Sequence, residues 1–439
     1  MSGRGGTAAA RGKGWSKMVV VEAWVLAVIV GVVLSLLFML WTVQRGRKVR
    51  LTLGKVEDLR QSLPSIAGAT HGPILDGNRV EVLQNGSGFF PPLLADIAGA
   101  EESIHIESYV WWKGDICRQV AAALAERARQ GVTVRLLLDA SGSSRMDKDL
   151  HALMGAAGVR VAKYRPLRFS NLGRLNSRDH RKIAVFDGRV GYVFGHGFAQ
   201  EWVGDAEDAE HWRDTAARVQ GPIVGVLQSA FSENWVEETG EVLFGEKLFP
   251  RLEPAGATPA HVAYSFQHGS VSSVDLLYRL AFNAAQKELW IQNPYLAPDT
   301  SVMALIAYAA ARGVDVRIML PGRVTDAQFV RHAGHHLYAP LLQHKVRIWE
   351  YRKTLNHQKV MVIDGLWSHI GSTNLDNRSF ESNDEISLGI VDAEIAAELR
   401  RAFLADLADA VEIDYESWRR RPWRHRLGDW TAYRFNELL

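Results

Sequence analysis

Hydrophobic and polar positions divide this chain into three regions. In the first, residues 23–43 (AWVLAVIVGVVLSLLFMLWTV) carry no charge. At about 1.5 Å per residue such a run reaches roughly 30 Å, the thickness of a bilayer's hydrocarbon. Trp24 and Trp41 lie near its two ends, where interfacial aromatic residues belong. A cleaved signal peptide fits less well, because the run is too long and no small-x-small site follows it. The pattern predicts one transmembrane helix over 18–44, after a disordered Gly-, Ala- and Arg-rich stretch at 1–17 and before a linker at 45–78. Arg4, Arg11, Lys13 and Lys17 precede the run, and Arg45, Arg47, Lys48, Arg50 and Lys55 follow it. That balance leaves the orientation open.

In the second region the period of the pattern alternates. SIHIESYVWW reads as a strand, ICRQVAAALAERARQG as a helix closed by Gly131, and VTVRLLLD as a buried strand. The same order returns in ELWIQNPYL, SVMALIAYAAARG (closed by Gly313) and VDVRIMLPG. Gly131 and Gly313 are 182 residues apart. Such an offset predicts a duplicated α/β unit with parallel or mixed sheets flanked by helices. The two copies are assigned to 79–258 and 259–412, joined near the Pro- and Gly-containing FPRLEPAGATPAH. The third region, 413–439, interleaves Arg419, Arg420, Arg421, Arg424 and Arg426 with Trp418, Trp423 and Trp430. This mixture suits an anionic lipid surface, and a solvated terminal helix is the alternative.

Composition adds little to this partition. The 439 residues are 47% hydrophobic and 23% charged, an ordinary globular balance, and the net charge of +2 gives no global field for nucleic acid. Cys117 is the single cysteine, so no internal disulfide is available. It falls in a helical pattern as a small buried residue.

Candidate chemistry comes from one signature that appears in each copy. HRKIAVFDG supplies His180, Lys182 and Asp187, and HQKVMVIDG supplies His357, Lys359 and Asp364. The two histidines are 177 residues apart. Two-residue spacing puts His and Lys on one face of a strand, and Asp-Gly makes the turn after it. A phosphodiester needs such groups. Ammonium groups hold its anionic oxygens, a neutral imidazole can attack phosphorus, and a protonated one can donate to the leaving alkoxide. One copy supplies half the set and two facing copies supply all of it. No His-Glu-x-x-His, paired cysteine or Asp-rich loop suggests a catalytic metal, and no cofactor is expected. HAGHH at 332–336 reads as an exposed segment near the site, with a metal or phosphate contact as the alternative.

With these residues the chain resembles the phospholipase D superfamily, most closely bacterial cardiolipin synthases, from about Val80 to Val411. The second block is the strongest match, with Gly371, Ser372 and Asn374 after the motif, then NLDNRS, Asn383 and Glu385. The first block has the Glu107-Ser-Tyr stretch, Arg178 before the motif, and HWRDT around Asp214, while NPYLAP precedes the second motif. The resemblance implies a duplicated sandwich and roles for these residues. His180 would be the nucleophile and His357 the acid/base. Lys182, Lys359, Ser372 and Asn374 would bind phosphate. Asp214 and Glu385, each downstream of its motif, would orient His180 and His357. Asp187 and Asp364, members of the motif, would hold the turns. One departure stands out: Phe194, Gly195, His196 and Gly197 occupy the place of the family's Gly-Gly-x-Asn, so the asparagine donor is missing and His196 is a candidate substitute. The expected activity is phosphatidyl transfer between two phosphatidylglycerol molecules, with hydrolysis or transfer to another alcohol as the alternative. The expected partners are phosphatidylglycerol, other anionic phospholipids and the membrane, with no nucleic acid. The expected location is the inner cell membrane, as a single-pass protein.

Overall fold

Apolar runs without polar alternation become strands buried on both faces, and the alternating runs become edges and joins. In a computed structural model the described residues are 23–36, 39, 51–54, 58–166, 177–265 and 271–435. The first half builds β1 (Leu75–Gln84), β2 (Ser103–Ser108), β3 (Thr133–Asp139), β4 (Arg160–Tyr164), β5 (Ile183–Phe186), β6 (Val190–Phe194) and β7 (Thr215–Gln220). The second builds β8 (Thr258–Tyr264), β9 (Glu288–Gln292), β10 (Leu296–Ala297), β11 (Asp315–Pro321), β12 (Arg347–Tyr351), β13 (Val360–Ile363), β14 (Trp367–Gly371), β15 (Leu375–Asp376), β16 (Ile386–Val391) and β17 (Ala410–Glu412).

All but β10 and β15 join one hydrogen-bonded series, β17-β12-β11-β9-β13-β14-β16-β8-β1-β7-β6-β5-β2-β3-β4. Outward from the central β1–β8 pair, the two halves have matching orders. β2–β3–β4 and β9–β11–β12 pair in parallel, and the remaining pairs of the series are antiparallel. The parallel steps need crossovers, supplied by helices such as Asp115–Arg129 and Thr300–Ala311. This is an α/β fold with one large mixed sheet flanked by helices.

The sheet folds back on itself. Ile183, Val185 and Val193 of the first half share a core with Val360, Val362 and Ile370 of the second. Each side chain of this kind stabilises by about 1.5–3 kcal/mol when fully buried. The two motif strands therefore lie inside one packed interface, and their amino-terminal ends open on one site.

Two expectations change at the amino end. Residues 23–36 of the uncharged run are helical. Among the described residues no helix is long and apolar enough to cross a membrane. The expected transmembrane helix at 18–44, and the single-pass inner-membrane location that rested on it, are corrected accordingly. Residues 1–17 lie outside the described residues. The second change falls in the expected linker, where Leu59–Thr70 is a helix. Asp58 caps it by accepting from the Arg60 N–H at 2.7 Å. Leu59, Leu63 and Ile66 bury one face of it in the core with Leu277 and Ala281.

Candidate active site

Each motif strand begins beside a segment of the other half. The Asp384 N–H donates to Arg178 O at 2.9 Å, and the His180 N–H donates to Asp384 O at 2.9 Å. In the other half the Arg213 N–H reaches Leu355 O at 3.0 Å and the His357 N–H reaches Arg213 O at 2.8 Å. Each bridge delivers the next residue, a carboxylate, to the histidine of the opposite copy. His180 Nδ1 lies 3.0 Å from both oxygens of Glu385. His357 Nδ1 lies 2.7 Å from Asp214 Oδ2. The expected partners are thus exchanged: Asp214 holds His357 and Glu385 holds His180. In both pairs Nδ1 is occupied, leaving Nε2 for chemistry.

The lysines follow their histidines as the two-residue spacing predicts. Lys182 Nζ donates to His180 O at 2.9 Å. Lys359 Nζ donates to His357 O at 2.6 Å and stands 2.9 and 3.0 Å from the two ring nitrogens. All four side chains are buried. Burial, with Lys359 nearby, pushes Lys182 down to about 7, and burial brings Lys359 down to about 8. Burial and the same lysines hold His180 well below the usual imidazole range. His357 is also lowered by burial and Lys359, but Asp214 opposes the shift.

The two carboxylates differ. Burial lifts Glu385 to about 7 against the pull of Lys182. Burial acts upward on Asp214 too, but His196, His357 and Lys359 outweigh it and hold Asp214 below the ordinary carboxylate range. Their supports differ in kind. Ser372 Oγ donates to Glu385 Oε2, and Asn383 Nδ2 donates to Oε1 at 3.3 Å. Ser372 was expected at the phosphate; its hydroxyl is engaged by Glu385 instead. Asp214 takes the Trp202 indole N–H at 2.8 Å and the Thr215 N–H at 2.8 Å.

Position 195 matches Ser372 at the 177-residue offset of the two histidines, and a Cβ there would come within 2.1 Å of Asp214 Oδ1. Glycine makes room for the shorter carboxylate. At Gly197, the counterpart of Asn374, a Cβ would meet Trp202 and Val110 at 2.8 Å. The missing asparagine is therefore replaced in space by the tryptophan that holds Asp214. His196 stacks on Phe89 at 4.4 Å in the apolar core, and burial lowers it to about 4. That placement gives it no share in the phosphate pocket. Asn374 is buried with its Oδ1 free of hydrogen-bond partners among the described residues.

Asp187 and Asp364 do not reach this site. Each has a positive φ, 53° and 55°, and opens a tight turn at the far end of its strand. Asp187 accepts from the Glu101, Glu102 and Ser103 N–H groups at 2.9, 2.7 and 2.8 Å. Asp364 accepts from Gln286, Lys287 and Glu288 in the same way. Both pin neighbouring strands. The aromatic wall was missed by sequence reasoning. Tyr109 meets His180 edge-on at 5.1 Å, and Trp202 and Trp212 meet His357 at 5.2 and 5.9 Å. The tryptophan excess in WVGDAEDAEHWRD just before Asp214 was the available signal. HAGHH is not the exposed segment expected: it lies in helix Gln328–Gln343 with His335 buried.

Known proteins match this geometry. The family described as cardiolipin synthase, phospholipase D-like domain, matches residues 93–210 and 278–407. A cardiolipin synthase of Geobacillus kaustophilus (strain HTA426) is 35% identical over 372 residues, covering 84% of this chain and 74% of that protein. Cardiolipin synthase A of Pseudomonas fluorescens is 35% identical over 369 residues, covering 84% of this chain and 76% of its own length. The crystal structure of phosphatidylserine synthase from Haemophilus influenzae Rd KW20 shares the fold at a TM-score of 0.63 and 13% identity, over 85% of this chain and 98% of that one. By sequence match over most of its length and by fold, the chain belongs to the cardiolipin synthase family with phospholipase D-like domains.

Proposed function

We propose that this enzyme makes cardiolipin by moving a phosphatidyl group from one phosphatidylglycerol to another. The crossed pairs carry the reading: two histidines, each with Nδ1 on a buried carboxylate of the other half and a lysine beside it. His180 Nε2 attacks phosphorus, and the bond to the glycerol oxygen breaks. His357 donates its Nε2 proton to that oxygen, and free glycerol leaves. The primary hydroxyl of the second phosphatidylglycerol gives its proton back to His357 and attacks phosphorus. The phosphorus–nitrogen bond then breaks, freeing His180. Lys182, Lys359 and Asn374 hold the non-bridging oxygens. The stronger depression of His180 favours it as the neutral nucleophile, and Asp214 opposite His357 favours that ring as the one that carries a proton.

This reading assigns one motif to each half, 79–258 and 259–412, and a lipid-facing role to 413–439. Trp423, Leu427 and Trp430 are exposed on the C-terminal helix, and Trp423 and Leu427 line a groove of about 530 Å³ with Phe329 and Arg424. Apolar rings beside arginines suit the surface of anionic phospholipid. Vesicles rich in phosphatidylglycerol should retain the protein in a sedimentation assay and lose it on combined Trp423→Ala and Trp430→Ala. Equal retention by neutral vesicles would remove this role.

The main test is product analysis. Purified protein with phosphatidylglycerol should yield cardiolipin and glycerol in equal amounts, and His180→Ala or His357→Ala should cut the rate by about 10³-fold or more. Phosphatidic acid without cardiolipin would turn the assignment to hydrolysis.

A further inference from the structure

A second cluster of chemistry-bearing side chains stands apart from the motifs. Helix Gln328–Gln343 carries His332 and His335 one turn apart, so both rings share a face. The C-terminal helix Trp423–Tyr433 packs there and buries Asp429, which is 1% exposed. His332 Nδ1 is 2.9 Å from Asp429 Oδ1, and His335 Nδ1 is 3.8 Å from the same oxygen. The three residues can offer ligand atoms that all lie within 4.8 Å of one another. A tetrahedral zinc with bonds near 2.0–2.1 Å sets its ligand atoms about 3.3 Å apart, between the two measured separations.

The surroundings are those of a ligand set. His335 Nε2 is 2.9 Å from Glu350 Oε1, and Arg331 holds Glu350 at 3.2 Å. A carboxylate on the far nitrogen puts the ring proton there and turns a lone pair on Nδ1 toward Asp429. Proteins orient metal-binding histidines in this way. Arg421 meets Asp429 Oδ2 at 3.0 Å, which leaves Oδ1 facing the two rings. A hydrogen-bonded clasp accounts for His332 and Asp429. It does not account for His335 Nδ1, which faces an acceptor with no proton to offer while Nε2–H serves Glu350. His332 is half-exposed, which gives an ion a way in.

We propose that His332, His335 and Asp429 bind a zinc-class divalent ion with one position left for water, clasping the C-terminal helix to helix Gln328–Gln343. The site is structural and separate from the catalytic histidines, and it does not depend on the identity of the lipid substrate.

Calorimetric titration of the chelator-stripped full chain with Zn²⁺ alone tests it. One equivalent should bind with Kd below about 1 µM, and the ion should raise the unfolding temperature. His332→Ala or Asp429→Asn should weaken binding by at least about 100-fold, and Glu350→Gln by about 10–100-fold. The group of exposed Glu207 and Asp208 with half-buried His211 is the control, so His211→Ala should leave the titration unchanged. Cobalt(II) loaded into the unaltered chain should show the visible bands of a four-coordinate nitrogen–oxygen site, which needs no variant to fold. A Kd above about 1 µM, an affinity unmoved by His332→Ala, loss of binding through His211→Ala, or an octahedral cobalt spectrum would each overturn the proposal.

Discussion

The exchange of carboxylates between the two histidines gives each residue a separable kinetic signature. Asp214 serves the proposed acid/base, so Asp214→Asn should slow expulsion of a poor leaving group such as glycerol, by about 10²–10⁴-fold. A phosphodiester with a nitrophenolate leaving group needs no proton, and its turnover should fall far less. Glu385→Gln acts on the nucleophile and should slow both substrates alike. The opposite assignment of the two variants would reverse the roles of His180 and His357. The lysines set a second expectation. Each is cationic below its pKa and neutral above it, and the two are held at about 7 and about 8. kcat/KM, which reports the free enzyme, should therefore decline as pH rises through about 7–8. His180, lowered well below its usual value, stays neutral across that window. A profile flat to pH 10 would show that lysine charge does not hold the substrate. At this scale the sequence was legible wherever spacing alone acts: His and Lys two apart share a face in both copies. The carboxylate partners were not legible, because the His180 and Glu385 contact spans 205 positions and the His357 and Asp214 contact spans 143. Two backbone bridges decide those partners, and no local pattern encodes them.

At the scale of elements, the motif aspartates belong to the turns. Three backbone N–H groups converge on Asp187, and a matching set converges on Asp364. Asp187→Ala strands donors at the start of β2 and should cost about 1–3 kcal/mol in a urea melt. The folded fraction should keep kcat within about threefold, since the side chain lies a strand's length from Lys182. A loss of kcat without loss of stability would return Asp187 to the chemistry. The Asp-Gly pairs were readable because positive φ at both positions suits those residues. The helix Leu59–Thr70 was not, although its Asp58 cap and its Leu59, Leu63, Ile66 spacing were in view. It lay inside the stretch 45–78 read as a linker, and it contains Pro64. Tertiary burial against Leu277 and Ala281 overrides that local signal. The amino-terminal run failed in the other direction: hydropathy alone predicted a membrane span, and among the described residues no helix is long and apolar enough to be one.

For the whole molecule, duplication was readable from the constant offset, and the matching strand orders on either side of β1 and β8 follow from it. What duplication requires of the site is a single chain. β1 pairs with β8 along the join, Ile183 and Val185 share a core with Val360 and Val362, and each half carries the carboxylate for the other half's histidine. Neither half can assemble a histidine–carboxylate pair by itself. If these contacts are made within one chain, a chain with His180→Ala and a chain with His357→Ala should stay inactive when mixed, at any ratio and after co-expression. If halves exchange between chains, a quarter of the sites in an equal mixture would combine the two intact histidines, and activity would return toward that fraction. The cost of exchange argues for the first outcome. Separating the halves uncovers the whole shared apolar core, and at about 25 cal/mol per Å² even a few hundred Å² of it amounts to several kcal/mol. Measured cardiolipin output of the mixture, set against each variant alone, reads the answer directly.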